Sequence, residues 1–281
     1  MSPILVVKST GEQEVFDPSK LIGSLRRAGA TAGQAHEIAS HIEKELFDGM
    51  TTNDIYRHAF DLLRSMPKAA ATAAAVKYSM KRAVSELGPK GFPFEKFVAE
   101  IFKAKGYEAV TDQMVEGHCV EHEIDVVAWK GNQLAMVEAK FHNEPGLKSD
   151  IKVALYIKAR FDDLKGRSFI YGGKKRKLTK CFLITNTKFT DHAIRYAECQ
   201  DLALIGWNYP RKGNLEDLIE ESGLHPLTAL PSLSEMDKQK LLDSGLVLCR
   251  HLNVSEEELV GMGVPRDRIP AIMADIKSVC K

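Results

Sequence analysis

An acid-rich hairpin limits what this chain can fold into more than any other stretch. Glu123-Ile124-Asp125-Val126-Val127 precedes Gly131-Asn132, and Val137-Glu138-Ala139-Lys140 follows. Gly-Asn is a favoured two-residue turn between antiparallel strands. That turn pairs Lys130 with Gln133, and each further pair keeps the same sum. Asp125 then falls opposite Glu138, and Glu123 opposite Lys140. Residues two apart on a strand share a face. The register predicts Glu123, Asp125, Glu138 and Lys140 on one side, and a core face of Ile124, Val126, Ala128, Val137 and Ala139. A slip of one residue would put Asp125 and Glu138 on opposite faces.

Two carboxylates a few ångströms apart are costly unless a cation or proton sits between them. Magnesium is held by a few carboxylates, waters and substrate phosphate. Such an ion polarises a scissile phosphate, and a neighbouring lysine orients the attacking water and stabilises developing negative charge. The pattern therefore points to phosphodiester hydrolysis with Mg2+ or Mn2+. A surface ladder of salt bridges, Glu123 facing Lys140, is the plain alternative.

At 281 residues the chain is long enough for two or three domains. The formal net charge of +1 makes any nucleic-acid surface local. The candidate is the run Lys174, Lys175, Arg176 and Lys177, which can neutralise several phosphates; a solvated loop before a strand at Cys181–Thr185 is the alternative. Five cysteines with no CxxC suggest neither a disulfide framework nor a zinc site, which fits a reducing cytoplasm. No membrane span or secretion signal is expected.

Three segments separate. The first ends at the breaker cluster Gly88-Pro89-Lys90-Gly91-Phe92-Pro93. It reads as a small hairpin (Ile4–Lys8, Gln13–Phe16), a helix that starts at Pro18, and further helices at Ala32–Phe47, Thr52–Arg64 and Lys68–Leu87. Asp17 is the expected cap of the first helix and Thr52 of the third. In the second segment, a helix from Phe94 precedes strands at Glu108–Thr111, Glu123–Lys130, Gln133–Phe141, Cys181–Thr185 and Leu202–Gly206. Helices at Ser149–Lys165 and Asp191–Cys199 lie between the later strands, so the core is α/β. A last boundary near Ser222–Pro231 precedes short helices at Glu235–Asp243, Leu246–Leu252, Ser255–Met262 and Arg266–Val279. The expected domains are 1–88, 92–227 and 228–281.

Phe94-Glu95-Lys96-Phe97, Gly106-Tyr107, Asp125 and Glu138-Ala139-Lys140 together resemble the PD-(D/E)xK nucleases, in their Mrr-like restriction endonuclease branch, over about Phe92 to Leu227. The resemblance implies Asp125 and Glu138 as metal-binding acids and Lys140 as the catalytic lysine. A first-helix glutamate joins the metal site in that family, and Glu95 matches it, with Glu100 second. Tyr156 or Arg160 matches a polar residue of a later helix. His118, His122 and His142 surround the constellation. The implied substrate is DNA, in restriction, defence or repair.

Val7-Lys8, Gly11, Glu14-Val15-Phe16-Asp17 and Lys20-Leu21, extended by Asp48-Gly49-Met50-Thr51-Thr52 and Val76-Lys77-Tyr78-Ser79, are similar to the ATP-cone, a regulatory module that binds ATP or dATP without hydrolysing it. The similarity spans residues 4–85. It implies Lys8 and Lys20 on the triphosphate, and Glu14 and Thr52 near the sugar or base. Ser9 stands where the family usually has a basic residue. Leu259 to Pro265 resembles a helix-hairpin-helix.

The expectation is a multidomain α/β protein: a mostly helical ATP-cone with a β-hairpin, a restriction-endonuclease-like sheet core and a small helical C-terminal domain. Its expected function is a nucleotide-regulated, metal-dependent DNA endonuclease that self-associates. The alternative is a catalytically inactive, nucleotide-sensing DNA-binding protein that keeps the nuclease fold as scaffold.

Overall fold

The computed structural model describes residues 4–279 apart from 9–10, 67–68, 89–90 and 145. Ser9, Lys68, the Pro89-Lys90 centre of the expected linker and Cys280 lie outside the described residues.

The N-terminal module is a hairpin, β1 (Leu5–Val7) and β2 (Gln13–Val15), with helices α1 (Pro18–Arg27), α2 (Ala32–Glu45), α3 (Thr52–Ser65) and α4 (Ala69–Ser85). Asp17 caps α1 through the Ser19 amide. The cap of α3 is Thr51, not Thr52, because the Thr51 hydroxyl accepts from the Asp54 amide. Leu25, Ile38, Ile42 and Leu63 fill this module's own core.

Helix α5 (Phe92–Ala104) opens the second part. Strands β3 (Glu108–Glu116), β4 (Glu121–Lys130) and β5 (Gln133–Lys140) follow as a meander. The chain continues through β6 (Lys148–Ser149), α6 (Ile151–Leu164), β7 (Ser168–Tyr171), β8 (Lys174–Thr185), β9 (Lys188–Phe189), α7 (Asp191–Cys199), β10 (Ala203–Ile205) and α8 (Leu215–Ser222). The main sheet runs β10-β8-β5-β4-β3, with β7 also on β8, and β5 is parallel to β8. Helix α5 covers one face and helices α6 and α7 the other.

The C-terminal part holds α9 (Glu235–Asp243), α10 (Glu256–Gly261) and α11 (Ile269–Val279). Leu246–Leu252, expected as a helix, is a 3-10 turn confined to Cys249–Leu252. These elements do not form a separate core. Leu227, Leu248 and Ile272 share one apolar cluster with Phe94, Phe97, Val126 and Val137 of the sheet layer. Val76, Met80, Val84 and Leu87, at the end of the N-terminal segment, enter the same cluster. The end of α4, before the breaker cluster, thus packs against the sheet layer that follows it. Cys119, Cys181 and Cys199 are free, whereas Cys249 is disulfide-bonded. No helix among the described residues is long and apolar enough to cross a membrane.

Phe97 is fully buried where the sheet, α4 and the C-terminal helices meet. Phe97→Ala is expected to cost about 3–5 kcal/mol. Because that core is shared, denaturant melts followed by circular dichroism should show one earlier transition for the nuclease and C-terminal parts together, not two.

Candidate active site

The expected β4–β5 register is correct: five pairs run from Lys130↔Gln133 to Val126↔Val137. The ladder ends one pair short of Asp125 and Glu138. There the Asp125 carboxylate takes the place of a strand bond, accepting from the Ala139 amide at 2.7 Å. The neighbouring strand is also broken. Thr111 pairs with Val126 and Gln113 with Ile124, while Asp112 between them is left-handed at φ 55°. Asp is one of the few residues that tolerate that conformation. The break changes the facing of β4. Val126 packs toward α5, whereas Ile124 joins the opposite core with Val127 and Met136. The expected core face containing both Ile124 and Val126 is corrected in this respect.

The acids gather around this break from four elements, α5, β3, β4 and β5. Glu95 stands in the first turn of α5. Its carboxyl is pushed up to about 8 by burial first, and then by Asp125, Asp112 and Glu123. Asp125, half-buried, is raised chiefly by burial. Glu138 is pushed up to about 7 by burial and by Asp125, against the pull of Arg160. Arg160 reaches from α6 to Glu138 at 2.6 Å and is itself buried. Lys140 ends β5 exposed, in register with Thr185. Its charge is felt by both Glu138 and His142.

Of the two first-helix candidates, Glu95 faces the site and Glu100 does not. Glu100 is held by Lys103 at 2.8 Å and Arg250 at 2.9 Å. Arg160 rather than Tyr156 makes the contact from α6, with Tyr156 beneath its guanidinium at 5.3 Å. His142 lies next to the site, bonded to Ser149 at 2.9 Å. His122 is instead paired with Asp163 at 2.7 Å. Asp112 lies just past the expected end of β3 at Thr111; the strand runs five residues further, to Glu116, and places this acid opposite Asp125 between two paired positions.

The donor set suits a divalent ion. Three carboxyls held above their ordinary values by burial and by one another are relieved when a cation neutralises them. They are spread more widely than a closed cage. Among the described residues the group whose ligand atoms lie within 4.8 Å of one another is His41, Glu45 and His58, on α2 and α3.

The basic run is not a loop. Lys174 to Lys177 begin β8, and the β7–β8 turn is Gly172-Gly173. Lys174, Lys175 and Lys177 are exposed. Arg176 is buried, donating to the Gly131 carbonyl at 2.8 Å and to the Tyr171 carbonyl. It is therefore spent on the hairpin turns and corrected as a nucleic-acid contact. The run lies beside Leu134, at the other end of β5 from Lys140, about 20 Å away at the rise of a strand.

In the N-terminal module, Lys8, Glu14 and Lys20 do meet. Glu14 bridges Lys8 at 3.1 Å and Lys20 at 3.2 Å. Thr52 is apart from this ion-pair group and lines a neighbouring cavity.

Residues 4–84 match the ATP cone domain, residues 88–208 the restriction endonuclease family, and residues 225–280 the family described as AF1548-like, C-terminal. An uncharacterized protein of Archaeoglobus fulgidus is 37% identical over 186 residues, covering 65% of this chain and 99% of its own length. A crystal structure of a protein of unknown function, AF1548, superposes with a TM-score of 0.56 at 35% identity, covering 68% of this chain and 98% of that one.

Proton and metal compete for the same carboxyls. With Glu138 titrating near 7 and Glu95 near 8, the affinity for Mn2+ should rise from about pH 6 to about pH 9. Asp125→Asn should abolish that rise in calorimetric titrations. In metal-free buffer the sign for stability is opposite. Carboxyls raised above their unfolded value stabilise least once ionised, so thermal melts should drop as pH rises from about 4.5 to about 8, and added Ca2+ should restore them.

Proposed function

This chain belongs to the family of the Archaeoglobus fulgidus protein, with a restriction-endonuclease-like domain behind an ATP-cone, and from that premise we propose that it is a divalent-metal-dependent DNA endonuclease controlled by ATP or dATP. The observation that carries the proposal is the crowding of Glu95, Asp125 and Glu138 beside Lys140.

Glu95, Asp125 and Glu138 hold Mg2+ or Mn2+, which supplies polarisation of the scissile phosphate and a more acidic bound water. Lys140 orients the attacking water and stabilises charge on the phosphate. Arg160 fixes the Glu138 carboxylate by its 2.6 Å contact. Lys174, Lys175 and Lys177 neutralise backbone phosphates away from the cut. In the N-terminal module, a triphosphate competes with Glu14 for Lys8 and Lys20, while Thr52 faces the sugar or base. The protein acts on DNA in restriction, defence or repair, and self-associates.

A second reading has one observation in its favour. The Arg160 contact neutralises Glu138 without a metal, as a retained but inactive nuclease scaffold requires. Plasmid cleavage separates the two. With Mg2+ and ATP, wild type should nick supercoiled plasmid, and Lys140→Ala should lower the rate about 100-fold or more. Equal nicking by both proteins, or none under any nucleotide, rejects the enzyme. Salt-sensitive plasmid retention without nicking would support the scaffold.

A further inference from the structure

Where the N-terminal module meets the sheet, the chain forms an open cavity of about 940 Å³, within the range of small-molecule and cofactor sites. One wall comes from the ATP-cone. Ser24 and Arg27 of α1, Thr52 and Tyr56 of α3, and Lys81 of α4 face it. The other wall comes from the nuclease domain, with Lys188, Trp207 and Asn208. On α1, positions 20, 24 and 27 lie along one face, which places Lys20 on the same side of the helix as the cavity-lining Ser24 and Arg27. The start of α3 is tied to the hairpin by the Val7↔Thr51 bridge.

The charges here are unevenly matched. Lys77 is paired with Glu220 at 3.7 Å and Arg82 with Glu86 at 2.9 Å. Among the described residues neither Lys81 nor Lys188 is in an ion pair. Lys81 is pulled below its ordinary value by burial first and by Lys188 second, against the pull of Glu216. Two ammonium groups facing each other across an interface are relieved by an anion, and phosphate oxygens accept charge-assisted hydrogen bonds of the strong kind. Tyr56 stacks on Tyr78 with centroids 5.0 Å apart. With buried Trp207, these rings give the cavity aromatic surface suited to a base.

We propose that the nucleotide taken up by the ATP-cone spans this cavity, and that Lys188 of the nuclease domain holds part of its phosphate, so the catalytic sheet itself reads the effector. The inference rests on the nucleotide-binding half of the proposed function and is independent of catalysis.

The path from Lys188 to the candidate active site is short. Thr185, three residues earlier, is in register with Lys140. Asn186 clamps the backbone of His142 from both sides, accepting from its amide and donating to its carbonyl, each at 2.9 Å. The Thr187 carbonyl accepts from the Trp207 amide at 2.7 Å. Lys188 also pairs in register with Lys148, next to Ser149, the partner of the His142 ring. A ligand that draws Lys188 toward α4 pulls on the segment that positions Lys140 and His142.

The test is calorimetric titration of the full chain with ATP and with dATP. Lys188 is exposed, so Lys188→Ala should fold, and its thermal melt checks this. Loss of one charge-assisted contact should weaken nucleotide affinity about tenfold or more. Arg27→Ala should weaken it similarly, and Lys165→Ala, an exposed lysine on the far face, should not. In cleavage assays Lys188→Ala should need proportionately more ATP for the same response. If wild type binds nucleotide and Lys188→Ala binds it equally well, the cross-domain contact is wrong while nucleotide regulation stands. If wild type binds neither nucleotide, both fail.

Discussion

Asp125 carries the central constraint of this protein. It is a half-buried carboxylate at the point where the β4–β5 ladder stops and the β3–β4 ladder is interrupted. Burial and neighbouring acids both disfavour its charge, and the Ala139 amide and Arg160 favour it. A strand interior cannot hold such a group without a compensating ligand. The local answer is a break: β4 and β5 part after Val126↔Val137, β3 turns left-handed at Asp112, and α5 brings Glu95 over the gap. Backbone strain of this kind gathers at functional sites.

Two different cations are available to the acids. Arg160 already reaches Glu138, while among the described residues neither Glu95 nor Asp125 is in an ion pair, and burial raises both. The arrangement is lopsided: the α6 side is neutralised by protein, and the α5 side is left for a proton or a metal. This asymmetry explains why a catalytic and a scaffold reading both arise from one geometry, and why they differ in what balances the α5 side.

The nucleotide module is not a loose appendage. Helix α4 begins in the N-terminal module and ends in the core shared by the sheet and the C-terminal helices. The Thr228 hydroxyl closes this junction on the Ala83 carbonyl at 2.6 Å. Events at α4 are therefore felt in the layer that supports α5 and Glu95. Strand β8 gives a second connection, ending in register with Lys140 and leading within three residues to Lys188 at the cavity wall.

Local chemistry settled much of this protein in advance. Gly131-Asn132 dictated the hairpin and its register, because a two-residue turn leaves only one pairing. Asp17 marked the start of α1, and the helices Asp191–Cys199 and Glu235–Asp243 lie where the sequence placed them. The acid and lysine pattern was enough to place Asp125, Glu138 and Lys140 together. Tertiary structure decided what depends on distant chain. It chose Glu95 over Glu100 by giving Glu100 to Lys103 and Arg250, and it brought Arg160 and Asp112 to the site. It also buried Arg176 under Gly131 and turned Ile124 to the other core. The physical reason is the same in each case. Turn geometry and strand period act within a few residues, whereas burial, charge pairing and core continuity depend on neighbours that only folding supplies.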